Sequence, residues 1–121
     1  AINPLACEGQ IEGTVVMAIG QTLFEEMHYD SGQPLNPNFL DYPVPTCVEL
    51  PKTFEVILLQ EPHPDGPFGA HGVGESAMPP ISPCIANAVA NALGVRIREL
   101  PITPERVLKC LKESDRTPVT R

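Results

Sequence analysis

Apolar residues recur every four positions at Ile11, Val15, Ile19 and Leu23, with Val16 and Phe24 beside them. That period predicts an amphipathic helix over residues 8–27 with a wide apolar face. Gly9, Gly13 and Gly20 fall inside it, each costing about 1 kcal/mol against Ala, so something is expected to approach that face closely. A second helical period, Ile85, Val89 and Leu93, predicts a helix from about 84 to 93, which Gly94 is suited to end. Ala86, Ala88, Ala90 and Ala92 along it suit close packing. A third helix should begin at Thr103-Pro104-Glu105 and run to about Lys112, with Thr as cap, Pro at the first position and an acid near the positive end of the dipole.

Two stretches carry a strand pattern. Residues 54–59 are nearly all apolar, as for a strand buried on both faces. Residues 95–100 alternate apolar and charged, as for a strand with one wet face. Asp30-Ser31-Gly32 is a turn signal, and residues 36–51 read as extended and irregular. The class is therefore α/β, with α+β as the alternative: about three helices, a few strands and a frayed end over residues 114–121.

Composition sharpens this picture. At 121 residues the chain suits a single domain. Its 15 prolines are more than twice average usage, and eleven lie between Pro34 and Pro83. Each fixes φ and removes a backbone donor, so a regular helix or central strand is not expected there. A loop of that length is out of place in an isolated domain, so it is expected to wrap a larger body. The hydrophobic fraction of 42% excludes a disordered tail, and no apolar run is long enough for a membrane span. A net charge of −7 argues against nucleic acid or an anionic membrane as partner. Cys7, Cys47, Cys84 and Cys110 are far apart with no C-x-x-C pair, which disfavours a metal site built from this chain alone. Cys84 and Cys110 fall in apolar helical patterns and read as small buried hydrophobes. All four are expected to be reduced, in a cytoplasmic setting.

Candidate chemistry concentrates in residues 68–76, Phe-Gly-Ala-His-Gly-Val-Gly-Glu-Ser. Gly69, Gly72 and Gly74 let a backbone pass tightly by a ligand and offer it amide donors. The spacing matches neither a Walker loop nor a dinucleotide fingerprint. A carboxylate at the tip, Glu75, would repel phosphate, so it is aimed at a proton or a cation. The structural alternative is that Glu75 caps the turn or pairs with a surface lysine. His63 and His71 read as loop histidines with satisfied hydrogen bonds.

Several motifs together carry a resemblance. Asn3-Pro4, then Glu8-Gly9-Gln10-Ile11-Glu12-Gly13, with Gly20 further on, is similar to an INP…EGQIEGG…QGIG segment. Leu35-Asn36-Pro37-Asn38-Phe39-Leu40-Asp41-Tyr42 with Pro45-Thr46 resembles an LNPN-LDY-PT segment. Gly66-Pro67-Phe68-Gly69-Ala70 followed by Gly72-Val73-Gly74-Glu75 resembles a GPxGAKGVGE loop. Ile85-Ala86-Asn87-Ala88 and Leu100-Pro101-Ile102-Thr103-Pro104-Glu105 resemble two later stretches. The family so resembled is the xanthine dehydrogenase/aldehyde oxidoreductase group of molybdenum hydroxylases. The likeness is to the C-terminal portion of their molybdopterin-binding large subunit, and spans nearly all of residues 1–121.

The resemblance implies a molybdenum-dependent oxidation of an aldehyde or N-heterocyclic carbon, with water as the oxygen source. It makes Glu75 the general base and Gln10 the glutamine whose amide meets the molybdenum cofactor. Gly72, Val73 and Gly74 would lie against the cofactor through backbone alone. That cofactor would be molybdopterin or its cytosine dinucleotide, with iron–sulfur clusters and FAD on other domains or subunits. Partners would be the remainder of the large subunit, those electron-carrying domains and a small-molecule substrate. Met17, Ala18 and His71 depart from the family pattern, which expects Gln, Gly and Lys. With most cofactor-binding segments absent from these residues, the chain is expected to be inactive in isolation. The competing reading is a non-catalytic domain or binding module without cofactor.

Overall fold

The computed structural model describes residues 1–116. Helix α1 spans Pro4–Leu23, earlier at both ends than the apolar period predicts. Its start is set by Asn3, whose side chain accepts from the Ala6 amide, and by Pro4, whose missing N–H is not needed in a first turn. It stops where the amides of Phe24 and Glu25 converge on the Gly20 carbonyl, both at 2.9 Å. A hairpin follows, with β1 (Tyr29–Asp30) antiparallel to β2 (Gln33–Pro34). Ser31 and Gly32 between them both have positive φ, 47° and 82°, as a two-residue turn requires to match the strand twist.

A long irregular segment leads through one 3-10 turn at Pro67–Gly69 to α2, Met78–Leu93, which Gly94 ends in the left-handed conformation. α2 therefore begins six residues before the predicted start. Pro79 and Pro80 lie in its first turn, where no donors are required, and Pro83 is carried inside it. Helix α3, Pro104–Arg116, is capped as expected by Thr103, whose hydroxyl accepts from the Arg106 amide. It continues past the predicted end into the stretch read as frayed. The rest of that stretch, residues 117–121, lies outside the described residues.

α1 packs against α2, and its buried residues are not the large apolar ones. Thr14, Ala18 and Thr22, spaced every four, are buried, whereas Ile11, Val15, Val16 and Ile19 are half-buried. Small side chains let the helix axes approach closely, and Thr22 joins Ser82 of α2 through their hydroxyls at 2.7 Å. The Ile102 amide donates to the Thr22 carbonyl at 2.6 Å, returning the chain after α2 to the end of α1. Arg106 of α3 then pairs with Glu26 at 2.7 Å and donates to the Pro101 carbonyl. Buried Asn36 stitches the turn region, accepting from the His28 amide and donating to the carbonyls of Glu26 and Asp41.

Among the described residues the buried apolar side chains are Ala18, Pro101 and Ile102. Phe68, Leu40 and Leu59 are 99%, 90% and 89% exposed, an apolar surface beyond what a self-sufficient domain leaves to water. The two predicted strands join no ladder: residues 54–59 and 95–100 have no sheet partner among the described residues, and the second run ends in a bend at Glu99 and Leu100. A strand is stabilised by its neighbours, and none of the described residues reaches their edges as a strand. The alternation over 95–98 survives as half-buried Val95 and Ile97 between exposed Arg96 and Arg98. Of the helical glycines, Gly20 is approached closely, by the Glu25 carboxylate and the Pro45 ring. Gly9 and Gly13 have nothing within 4 Å of where a side chain would start. Cys84 is exposed rather than buried, and all four cysteines are free.

Candidate functional site

The N-terminal half of α1 and the glycine loop meet along one cleft of about 540 Å³. Gln10 enters it from α1; Gly69, Ala70, His71 and Val73 enter it from the loop; the extended run Ile57–Leu58–Leu59 closes a third side. Gln10 and Val73, two of the residues singled out in the sequence, thus line the same cleft. Gly72, Gly74 and Glu75 lie beyond the cleft lining, on the turn that enters α2, where the Met78 amide donates to the Glu75 carbonyl at 3.1 Å.

The loop is held in a one-sided way. Its carbonyls are tied: that of Gly72 to His71 Nδ1 at 3.1 Å, that of Val73 to the Ser76 hydroxyl at 3.2 Å, and that of Gly74 to the Thr14 hydroxyl at 2.8 Å. Since a carbonyl only accepts, the His71 contact requires a proton on Nδ1. The amides from His71 to Glu75 have no backbone partner among the described residues. The result is a run of unpaired donors on a segment whose acceptors are engaged, the arrangement by which backbone binds an electron-rich group. A residue larger than glycine would find open space at 72 and 74, so those glycines matter for what comes near them, not for local crowding.

Glu75 is exposed, and its carboxylate has neither hydrogen bond nor ion pair among the described residues. The capping and lysine-pairing alternatives therefore have no support in the fold. The Gln10 carboxamide is likewise exposed and without a side-chain partner, leaving a donor and an acceptor directed at one cleft. Within the lining, the unpaired Gln10 carboxamide and the unpaired amides of His71 and Val73 suit a polar ligand held by neutral hydrogen bonds, with the amides of Gly72, Gly74 and Glu75 next to it along the loop. His71 and His63 stack edge to face with ring centroids 6.0 Å apart. No group of three or more His, Cys, Asp or Glu able to hold a metal occurs among the described residues. Thr14 carries one signal in the sequence, its spacing of four from Gln10 and from Ala18.

Comparison with known proteins bears on this geometry. Residues 1–51 match the model of a molybdopterin cofactor-binding domain. The chain is 44% identical over 108 residues to the putative xanthine dehydrogenase molybdenum-binding subunit XdhA of Escherichia coli K12, covering 88% of this chain and 14% of that subunit. It is 40% identical over 109 residues to the gamma subunit of the 6-hydroxypseudooxynicotine dehydrogenase complex of Paenarthrobacter nicotinovorans, again 88% of this chain and 14% of the relative. Among solved structures, quinoline 2-oxidoreductase from Pseudomonas putida 86 superposes with a TM-score of 0.84 at 41% identity, over 93% of this chain and 15% of that one. A Cu,Mo-containing carbon monoxide dehydrogenase superposes at 0.80 with 34% identity, over 93% and 14%. The chain thus spans about a seventh of the proteins it matches. On sequence and on fold alike, it belongs to the xanthine dehydrogenase/aldehyde oxidoreductase family of molybdenum hydroxylases.

Proposed function

We propose that residues 1–121 form the C-terminal portion of a molybdopterin-binding domain and bring the proton-accepting side of its active site. Adding the oxygen of water to a substrate C–H bond releases two electrons and two protons, so such a site needs both an electron sink and a base. The molybdenum cofactor, when bound, supplies the sink. Glu75 is the general base: an unpaired carboxylate at the end of a glycine loop is available to take a proton at its Oε atoms. The Gln10 carboxamide and the amides of Gly72, Val73 and Gly74 hold the cofactor by neutral hydrogen bonds, which adds no charge beside the base.

The observation that carries this reading is the one-sided loop, its carbonyls tied back and its amides left unpaired next to an unpaired carboxylate. The partner is the remainder of the large subunit, which would cover the exposed apolar surface and offer the extended run over 54–59 a sheet edge. Electrons would leave through iron–sulfur clusters and FAD carried by other domains or subunits. The substrate is a small molecule, an aldehyde or an N-heterocycle, selected by residues outside this stretch. In isolation the chain is inactive, and four free thiols suit a cytoplasmic, reducing setting.

The test is Glu75→Gln in the full-length enzyme that carries this sequence. Turnover should fall by about 10²–10⁴-fold with molybdenum content unchanged. Turnover within twofold of the parent would reject Glu75 as the base.

A further inference from the structure

Thr14 is 6% exposed, on the face of α1 one turn beyond Gln10. Its Oγ1 lies 2.6 Å from the Gln10 carbonyl and 2.8 Å from the carbonyl of Gly74. The first contact is one that a helical threonine makes by local geometry; Thr22 repeats it to Ala18 at the same 2.6 Å. The second is different in kind, because it joins residues 60 apart and ends on the glycine immediately before Glu75. Both acceptors are carbonyls, so the single hydroxyl proton is shared between them and Thr14 is the donor in each.

A peptide unit is planar and trans, so the Gly74 carbonyl and the Glu75 amide point in opposite directions across one rigid plate. Holding the carbonyl against α1 turns the Glu75 N–H away from the helix and fixes the origin of the Glu75 side chain. Glycine at 72 and 74 brings no side chain that could fix that plate from within. Ser76 and His71 bond to carbonyls only one to three residues away and move with the loop. Thr14 ties it to a separate element.

We propose that Thr14 is a positioning residue that locks the Gly72–Glu75 loop to α1, so that one helix sets both Gln10 and the approach of Glu75. This deepens the reading of Glu75 as the base and rests on it. Its test uses the full-length enzyme with Thr14→Val, which keeps the branched shape and loses the donor, and Thr14→Ser, which keeps the donor. Three quantities are read: deuterium uptake over residues 70–77, kcat against KM, and molybdenum content.

In Thr14→Val, loop amides should exchange about tenfold faster and kcat should fall about tenfold, the effect of roughly one hydrogen bond. KM, molybdenum content and exchange over the rest of α1 should stay as in the parent. Thr14→Ser should restore both altered quantities to within about twofold. Parent-like loop exchange in Thr14→Val would overturn the proposal. So would faster exchange throughout α1 and α2, or failure of Ser to rescue, since either marks a packing role. Loop exchange decides the brace and Glu75→Gln decides the base, so the two readings fail separately.

Discussion

Helix α1 closes its hydrogen bonds within itself, while residues 50–62 make no backbone hydrogen bond among the described residues. The two regions are comparably apolar in sequence. α1 holds its small residues inward against α2, and the extended run leaves Ile57 and Leu59 74% and 89% exposed. A helix is satisfied by its own chain; an extended segment has donors and acceptors on its edges that only a neighbour can meet. Self-sufficiency is therefore concentrated where α1 meets α2 and the Ile102 turn, and residues 50–62 between them leave their backbone groups unpaired among the described residues.

That contrast can be broken most sharply with a pair of truncations. Ile102→Ala, at a site 5% exposed, should destabilise the chain by about 2–5 kcal/mol. Leu59→Ala should change stability by less than about 0.5 kcal/mol. Urea unfolding followed by far-UV circular dichroism reads both; equal losses would mean that the extended segment contributes to the core. Next in size is Gly20→Ala. The new methyl would run into the Glu25 carboxylate and come within 2.7 Å of the Pro45 ring, costing about 1–3 kcal/mol. It should also loosen the segment after the hairpin, visible as faster proteolysis near Pro45, if that contact is what pins the segment to the helix.

The smallest effect is electrostatic. The Arg106 guanidinium holds the Glu26 carboxyl below its ordinary value of 4.5. The Thr46 hydroxyl and amide do the same for Glu49, and the first turn of α3, with Thr103, does so for Glu105. Each group binds its proton less readily folded than unfolded. Their stabilisation is complete above the unfolded value and is lost as pH falls through the depressed folded one. Acid titration of Glu26→Gln should therefore show a shallower loss of stability below pH 4.5 than the parent; an identical slope would remove the Glu26–Arg106 pair from the account.

The helices were legible because their signals are local. Thr103-Pro104-Glu105 and Gly94 do in the fold what their chemistry suggests, and Ser31-Gly32 makes the hairpin turn. Pro79 and Pro80 misled because two adjacent prolines look like a break, yet in the first turn of α2 they remove only donors that have no partner. The run over 54–59 has the composition of a strand but meets no partner strand among the described residues; pairing depends on a neighbour, which the pattern of the run itself does not encode. Glu75 stood out from the glycine loop and by resemblance, Gln10 by resemblance alone; that both would be unpartnered is a property of the fold. Thr14 was invisible because its partner is 60 residues away, and a threonine inside an apolar helix ordinarily attracts no attention.

Buried Asn36 carries a consequence for the lifetime of the folded protein. Its carboxamide joins the backbone at three points, and conversion to aspartate would replace its two donated bonds with repulsion between a carboxylate and two carbonyls. Spontaneous deamidation proceeds by attack of the following residue's backbone nitrogen on the asparagine side chain. After Asn36 that residue is Pro37, and after the helix-capping Asn3 it is Pro4. Neither proline has an N–H with which to close the succinimide ring. The covalent chain itself thus closes the succinimide route to deamidation at the two asparagines that hold the turn region and start α1.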